Sequence, residues 1–298
     1  MKLKKILITG GSGFLASNVA DFFSEKGLNV TILDTKKSSF LKKKNQKQVI
    51  CSILDKKKLI KNFKNHDIVL HFAASADLIK SNENHFFTIE NNVLGTMNVL
   101  EACIKNNVKK IIYASSIYSM SEQGGFYSMS KLTSEMLIEN YFKKFGLNYV
   151  ILRFGSIYGL RANYFNRINN YIIDALKKKV IIRKSSGKEI RNYINVKDIS
   201  KLTYEVLKDK HKNKYYNLFG GERTKVYQIL KLIKKLLPET RIVYRKKDTL
   251  KYNYKVNPFS YKLRVGQNLN LNQYVKLEKG LKELIENIKT SNNTNNRK

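Results

Sequence analysis

A glycine-rich turn near the amino-terminal end constrains the fold of this chain more than any other feature. Gly10, Gly13 and Ala16 form the pattern G-x-x-G-x-x-A directly after an apolar run at residues 5–9. Glycines at such a turn let the backbone approach a pyrophosphate closely, and the following helix offers the phosphates free N–H groups and a partial positive charge. The turn therefore predicts a βα unit that can bind a dinucleotide.

An acidic residue ends the second apolar run, where it can select between dinucleotides. Asp34 lies 21 residues after Gly13. A carboxylate at this place can accept hydrogen bonds from a ribose diol and repels a 2′-phosphate. We therefore expect NAD rather than NADP, although Lys36 and Lys37 weaken this preference and an Asp in an ordinary strand-ending turn would fit the same position.

Short apolar runs alternate with helix-period segments over the first half of the chain, as in βαβ units with a parallel sheet. The predicted strands are residues 5–9, 29–34, 48–51, 67–71, 110–115 and 148–154. The predicted helices are residues 13–27, 55–63, 84–107 and 125–145. This order predicts an α/β fold, a Rossmann-type doubly wound parallel sheet, as an NAD-binding domain over residues 1–155.

The pattern becomes irregular after residue 155, where helix-period pieces at 163–178, 196–208 and 224–237 are separated by short strands. We expect residues 156–290 to form mainly a smaller α+β lobe that binds substrate, with segments around 190–220 returning to the main sheet. Residues 291–298 are polar and lack apolar anchors, so we expect a disordered tail.

Composition excludes several classes of protein. Hydrophobic residues make up 42% of the 298 residues, enough for a substantial core. No apolar run approaches the roughly 20 residues of a membrane span, and the first one is too short for a secretory signal, so we expect a cytoplasmic protein. We expect no metal site, because the cysteines and histidines show no ligand spacing; they are Cys51, Cys103, His66, His71, His85 and His211.

The formal net charge of +34 would ordinarily suggest a nucleic acid or an anionic membrane as a partner. The excess is mostly lysine spread along the whole chain, and Asn, Ile and Tyr are abundant while Trp is absent. This combination indicates an AT-rich coding sequence, which makes nucleic acid the disfavoured alternative. A basic surface would still steer an anionic nucleotide substrate.

Two side chains on the fourth predicted helix can supply acid–base chemistry. Tyr127 and Lys131 are four residues apart and therefore share a helix face. An ammonium about 4 Å from the phenol could lower its pKa by roughly three units, although burial opposes this. The pair can thus produce a phenolate base, but the same spacing is also common on helix surfaces, above all in a lysine-rich chain.

A hydroxyl group at the end of the preceding strand strengthens the catalytic interpretation. Ser116 closes the apolar run that begins at residue 110, at the carboxyl edge of the sheet where ligands bind. A hydroxyl there can bond to a reacting alcohol. Ser115 is the alternative, and we prefer Ser116.

Further segments extend the pattern over most of the chain: HFAA at 71–74, NVLGTMNVLEA at 92–102, LRFGSIYG at 152–159, RNYINVKD at 191–198 and PFSY at 258–261. Together with the glycine-rich turn and the Tyr127–Lys131 pair, they resemble the extended short-chain dehydrogenase/reductase superfamily, specifically its NAD-dependent nucleotide-sugar epimerases and dehydratases. The resemblance implies an enzyme that uses NAD and a nucleotide sugar.

The resemblance also implies a role for each residue that matches a family motif. Phe14 and Leu15 would donate backbone N–H groups to the pyrophosphate, Ala73 would line the cofactor site, and Lys131 would hold the nicotinamide ribose. With the residues named above, the implied cofactor-binding set is Gly10, Gly13, Phe14, Leu15, Asp34, Ala73, Tyr127 and Lys131.

On the substrate side, the resemblance implies that Tyr127 is the acid–base group and that Ser116 orients the sugar hydroxyl. Ser156 matches a position that is usually Asn and contacts the diphosphate of the nucleotide sugar. Arg191 matches an arginine that pairs with the diphosphate, a role that suits a bidentate guanidinium. Ser52 stands where the family often has an Asp that reads the adenine.

The reaction can be narrowed by residues that differ from the family pattern. The 4,6-dehydratases carry Asp-Glu directly after the catalytic hydroxyl residue, and Ile117 and Tyr118 occupy those places here. We therefore expect a 4-epimerase with a transient 4-keto intermediate. The alternative is a C4 dehydrogenase or reductase, and a 4,6-dehydratase or a non-catalytic NAD-binding protein is less favoured. The helices at 84–107 and 125–145 resemble the family's dimer bundle, so we expect a homodimer.

Overall fold

The computed structural model describes residues 4–40, 43–245, 252–261, 273 and 275–285. Its strands are β1 (Lys5–Thr9), β2 (Asn29–Asp34), β3 (Gln46–Ile50), β4 (Ile68–His71), β5 (Lys110–Ser116), β6 (Asn148–Phe154), β7 (Ser156–Tyr158), β8 (Val180–Arg183), β9 (Ile190–Asn195), β10 (Lys214–Leu218), β11 (Arg223–Lys225) and β12 (Arg241–Tyr244). Its α-helices are α1 (Phe14–Glu25), α2 (Lys56–Asn62), α3 (Leu78–Glu83), α4 (His85–Ile89), α5 (Gly95–Lys105), α6 (Gly125–Phe145), α7 (Arg167–Lys178), α8 (Val196–Glu205) and α9 (Val226–Leu236).

The chain divides into two units, and these elements all belong to the unit that ends at Tyr261. In the second unit the structure describes a helical segment at residues 277–285, in which Lys282 pairs with Glu278 at 2.8 Å. The predicted disordered tail at 291–298 lies outside the described residues.

The main sheet has the strand order β10-β6-β5-β4-β1-β2-β3, and its strands are parallel. Both faces are covered: Ile6 and Ile8 join the apolar cluster on one face, and Leu7 joins the cluster on the other. Burial on both faces explains why the strands read as continuous apolar runs. The sheet confirms the predicted doubly wound fold, and its strand order reverses between β1 and β4, where ligands bind in this architecture.

A smaller lobe follows the sixth strand of the main sheet, as the sequence predicts. In this lobe β12 pairs with β8, and helices α7 and α9 pack on a separate core that includes Tyr171, Ile181 and Leu230. A second small sheet places β9 between β11 and β7. Strand β10 pairs with β6 at the edge of the main sheet, so the chain returns there after leaving it. The boundary at residue 155 stays a prediction.

The predicted helix at 84–107 is divided by a π-helical turn at Glu90–Leu94, between α4 and α5. The wider turn directs Asn92 inward, where its amide donates to the Ser75 carbonyl at 3.1 Å and to the Ser130 hydroxyl at 3.0 Å. The side-chain oxygen Oδ1 of Asn92 accepts from the Ser75 N–H at 2.7 Å. A π-turn often marks a functional region, and here it ties the loop after β4 to α6.

Candidate active site

A cavity of about 1180 Å³ opens at the carboxyl edge of the main sheet and extends into the smaller lobe. Its volume exceeds that of an ordinary single-ligand pocket, so a dinucleotide and a second nucleotide can share it. Its lining includes every site residue predicted from the sequence: Gly10, Gly13, Phe14, Leu15, Asp34, Ala73, Ser116, Tyr127, Lys131, Ser156 and Arg191. The fold thus brings the predicted residues together, while their individual roles stay predictions.

The glycine-rich turn has the backbone geometry that a pyrophosphate needs. Gly10 has a φ of 68°, and a Cβ atom there would lie 2.7 Å from the backbone nitrogen of Ala73. Helix α1 begins at Phe14 after Gly13, which offers no side-chain cap, and its first turn carries no acidic residue. The N–H groups of that turn therefore remain available for an anion in the cavity.

Asp34 is held in place by backbone donors on both carboxylate oxygens. Its Oδ2 accepts from the Ser12 N–H at 3.0 Å, and its Oδ1 accepts from the Lys36 N–H at 3.1 Å. Each carboxylate oxygen has a second lone pair, so Asp34 can still accept from a ribose diol. The turn and this carboxylate together fit NAD.

Lys131 is buried beneath the cavity, with 3% of its surface exposed. Its ammonium donates to the Ala114 carbonyl at 2.8 Å and lies 4.9 Å from the centroid of the Tyr113 ring. The centroid of the Tyr127 ring is 6.0 Å away. Burial lowers the pKa of Lys131 to about 7, and the Glu135 carboxylate opposes that fall.

The acid–base character of Tyr127 differs from the sequence-based expectation in one respect. Burial raises the pKa of this phenol, and a hydrogen bond with the Ser116 side chain opposes the rise. The lowering of the pKa expected from Lys131 does not outweigh burial here. The Lys131 ammonium donates to the Ala114 carbonyl instead.

The two candidate serines at the end of β5 have different partners. The Ser115 hydroxyl donates to the buried Glu135 carboxylate at 2.5 Å. The Ser116 hydroxyl accepts from the Tyr118 N–H at 3.2 Å and bonds with the side chain of Tyr127. The geometry therefore favours Ser116 for contact with a reacting alcohol.

Arg191 on β9 lies where the cavity enters the smaller lobe. Its Nη1 donates to the Ile190 carbonyl at 2.7 Å, and its guanidinium carbon lies 4.3 Å from the centroid of the Tyr254 ring. Burial raises the pKa of Tyr254, and Arg191 and Ser156 are among the groups that oppose the rise. Ser156 and Arg191 therefore both lie next to the Tyr254 side chain.

Sequence reasoning missed a second group of cavity residues. Tyr118 donates its hydroxyl to Asn253 Oδ1 at 3.1 Å, across 135 residues of chain. The segment that carries Asn253 is fixed by Ser260, whose N–H donates to the Met120 carbonyl at 3.0 Å. The PFSY segment was a signal of this element, but nothing in the sequence placed it beside residues 118–122.

Arg183 is a further cavity residue without a recognisable sequence signal. It is buried, donates from Nη1 to the Tyr171 hydroxyl at 2.7 Å, and pairs with Glu189 at 3.2 Å.

Within the part of the chain that the structure describes, we find no cluster of three or more His, Cys, Asp or Glu side chains able to hold a metal ion. No described helix is both long and apolar enough to cross a bilayer.

Comparison with solved structures agrees with this geometry. A crystal structure of UDP-glucose 4-epimerase with UDP-glucose from Thermotoga maritima superposes with a TM-score of 0.78 at 26% identity, covering 86% of this chain and 90% of that one.

Relatives in sequence include both kinds of enzyme that the resemblance suggested. A putative UDP-glucose 4-epimerase from Methanocaldococcus jannaschii is 28% identical over 97% of this chain and 100% of its own length. A dTDP-D-glucose 4,6-dehydratase from Dictyostelium discoideum is 31% identical over 72% of this chain and 58% of its own length.

The family model for the NAD dependent epimerase/dehydratase family matches residues 6–218. This range covers the glycine-rich turn, the Tyr127–Lys131 pair and Arg191, and it confirms both the resemblance and the expected cofactor. The chain is therefore a member of the NAD-dependent epimerase/dehydratase family of enzymes.

Proposed function

We propose that this protein is a nucleotide-sugar 4-epimerase that acts through a transient 4-keto intermediate. The observation that carries the proposal is the grouping of Ser116, Tyr127 and Lys131 at one cavity, with Ile117 and Tyr118 at the positions where a dehydratase carries its additional acid–base pair. The site thus offers groups for one reversible proton transfer.

The glycine-rich turn, Asp34 and Ala73 would hold the cofactor, with Lys131 near its nicotinamide ribose. When bound, NAD⁺ supplies an acceptor for the hydride from C4 of the sugar and later returns that hydride, so that the net redox change is zero. The positive charges of Lys131 and of a bound nicotinamide would favour the phenolate form of Tyr127. That phenolate would accept the proton of the C4 hydroxyl at its phenolic oxygen and return it once the ketone has presented its other face to the cofactor. Ser116 keeps the reacting oxygen beside Tyr127.

Elimination of water is disfavoured by the two residues after Ser116. Ile117 is buried, with 2% exposure, and has no titratable group. The Tyr118 hydroxyl donates to Asn253. Neither side chain supplies the pair of carboxyl groups that would take a proton from one sugar carbon and give one to a leaving hydroxyl.

The residues on the substrate side of the cavity support the proposal that the substrate is a nucleoside diphosphate sugar. Arg191 offers a planar guanidinium, a group suited to bidentate pairing with phosphate oxygens. Because its ring contact with Tyr254 and its bond to Ile190 fix the guanidinium, little further ordering is needed when a diphosphate binds. Ser156 would add a hydroxyl contact to the same diphosphate.

We also propose a homodimer formed through the helices around α4, α5 and α6. Exposed apolar side chains recur at seven-residue spacing on these helices: Phe87 and Leu94 are 46% and 48% exposed, and Met129 and Met136 are 47% and 55% exposed. Met129 and Met136 share a face of the regular helix α6, whereas the segment from Phe87 to Leu94 contains the π-helical turn, so a partner copy could cover the α6 stripe. Sedimentation velocity tests this assembly, and a monomer at micromolar concentration would contradict it.

The function is tested by incubating the purified protein and NAD⁺ with a panel of UDP-, GDP- and dTDP-sugars. Chromatography and mass spectrometry should reveal an isomer of unchanged mass, and in D₂O that isomer should contain no carbon-bound deuterium. A product lighter by two hydrogens would show a dehydrogenase, and loss of one water would show a dehydratase.

Two variants make the assignment specific to the site. Tyr127→Phe should abolish turnover while NAD⁺ binding persists. The matched control is Tyr204→Phe, which removes a phenolic hydroxyl on α8, where the ring packs against Phe22 and Phe23. Retained turnover in Tyr127→Phe would exclude the proposed acid–base role.

A further inference from the structure

A buried carboxylate lies one helical turn after Lys131 and connects it to the neighbouring strands. Glu135 is 2% exposed and accepts from the Ser115 hydroxyl. Its two oxygens also accept from Arg153, at 3.0 Å from Nε and 2.6 Å from Nη2. A buried carboxylate with such partners is an ion whose field reaches nearby charges with little screening.

The other groups around Lys131 carry no negative charge near neutral pH. Burial lowers the pKa of His71 to about 3, so this side chain on β4 is neutral. Burial raises the pKa of Tyr113 on β5 and of Tyr127 on α6, so both phenols are protonated. Lys131 and Glu135 are one turn apart on α6 and almost fully buried, and they bond to the adjacent β5 residues Ala114 and Ser115. This placement makes Glu135 a carboxylate that favours the charged ammonium.

We infer that Glu135 is a positioning residue that keeps the Lys131 ammonium charged beside Tyr127, while Arg153 limits the strength of this effect. The inference rests on the proposed function, since it concerns the groups that would act on the sugar hydroxyl. Glu135 would act through Lys131, without contact with substrate or cofactor.

Arg153 has the opposite effect on Lys131 because it partly neutralises Glu135. Its guanidinium is bidentate to Glu135 and lies 4.6 Å from the centroid of the Tyr215 ring, whose hydroxyl donates to Glu139 at 2.6 Å. Removing Glu135 and removing Arg153 should therefore change the charge of Lys131 in opposite directions. A merely structural ion pair would not give opposite signs.

The test follows the Lys131 side chain directly in the full chain labelled with [ε-¹³C]lysine, with and without NAD⁺. The Lys131 NMR signal is identified by its loss in Lys131→Met. We expect the pKa of Lys131 to fall by roughly one unit in Glu135→Gln and to rise in Arg153→Met. Glu139→Gln, which removes a carboxylate one turn further along α6, should leave it unchanged.

The pH profile of turnover provides the second measurement. In Glu135→Gln the basic limb of kcat should move to lower pH by about the same amount as the lysine titration, and in Arg153→Met it should move to higher pH. If Glu135→Gln does not fold, the double variant Glu135→Gln/Arg153→Met avoids an unpaired buried charge and should lower the pKa of Lys131 by less than Glu135→Gln is expected to, because the nearer charge has been removed together with its more distant counter-ion.

Two results would overturn the inference. One is a pKa of Lys131 that is the same with Gln or Glu at position 135, and the other is a shift of the same sign in Glu135→Gln and Arg153→Met. Failure of the proposed function is a separate outcome: the wild-type chain would turn over no nucleotide sugar, while the lysine titration would still decide the role of Glu135.

Discussion

The guanidinium of Arg191 stacks on the ring of Tyr254, with 4.3 Å between the guanidinium carbon and the ring centroid. The two residues are 63 positions apart in the chain, and Arg191 lines the same cavity as Tyr127. A fixed guanidinium in a partly dry site recognises a diphosphate more strongly than a mobile one.

We therefore expect Arg191→Met to weaken binding of UDP about 10- to 100-fold, because a charge-assisted pair with phosphate is lost. The UDP affinity of Arg191→Lys should lie between those of the wild type and Arg191→Met, since lysine keeps the charge without the planar fork. Calorimetric titration measures the affinity for UDP and, separately, for uridine, and the uridine affinity should change little. Arg241→Met, at an exposed arginine that begins β12, is the matched control; equal losses for UDP and uridine would argue against a diphosphate contact.

We propose that cofactor choice depends on the carboxylate of Asp34. Asp34→Asn keeps one oxygen that can accept from the Ser12 N–H but loses the charge that repels a 2′-phosphate. We expect NAD⁺ to bind about 10-fold more weakly and NADP⁺ to bind better than it does to the wild type. Fluorescence titrations with the reduced forms, NADH and NADPH, compare the affinities for the two cofactors. An unchanged ratio of the two affinities would exclude Asp34 as the selector.

The sequence was informative where function depends on residues close together in the chain. The glycine-rich turn, Asp34 and the Tyr127–Lys131 pair each follow from short-range patterns, because strand, turn and helix geometry fix their relative positions within one βα unit. The bounds of α6 and of the sixth strand, Gly125–Phe145 and Asn148–Phe154, match the prediction for the same reason.

The sequence was least informative where distant segments meet. Asn253 reaches Tyr118 across 135 residues, and no periodicity encodes such a contact. The inward turn of Asn92 also escaped prediction, because its amide has partners from the loop after β4 and from α6 rather than from its own helix. Only tertiary structure shows that the Lys131 ammonium bonds to the Ala114 carbonyl.

The choice between the two serines at the end of β5 can be tested by comparing their alanine variants. Ser116→Ala should lower kcat about 10- to 100-fold, because the reacting hydroxyl loses a partner. Ser115→Ala should instead lower the free energy of unfolding by about 1–3 kcal/mol, because Glu135 loses a buried hydrogen bond. Steady-state kinetics and urea unfolding separate the two effects. A larger loss of kcat in Ser115→Ala would reverse the assignment.

A buried lysine outside the active site should contribute to stability. Lys110 is 2% exposed, and its ammonium donates to the carbonyls of Leu207 at 3.0 Å and Lys208 at 3.1 Å, just after α8. Lys110→Met should cost about 2 kcal/mol of unfolding free energy, because these carbonyls lose a charged donor, and should leave NAD⁺ affinity unchanged. Lys109→Met is the matched control, since that side chain is 77% exposed. Equal unfolding midpoints for the two variants would contradict a capping role.

Buried histidines should make the protein less stable in mild acid. His71 accepts or donates hydrogen bonds at both ring nitrogens, with the hydroxyls of Thr9 at 2.8 Å and Thr96 at 2.9 Å, and burial lowers its pKa from 6.5 to about 3. Burial also lowers the pKa of His66. Below pH 6.5 the unfolded chain therefore binds protons that the folded chain does not bind, and the free energy of unfolding falls.

The loss should be measurable between pH 6.5 and 5, which lies above the range in which ordinary carboxyl groups titrate. Each buried histidine should contribute at most about 1.4 kcal/mol per pH unit. Urea unfolding at several pH values gives the slope for the wild type, and His71→Gln should reduce it, with the remainder coming from His66. His85→Gln, at an exposed ring, should keep the full slope. A wild-type stability that is constant over this interval would show that both imidazoles can be protonated within the fold.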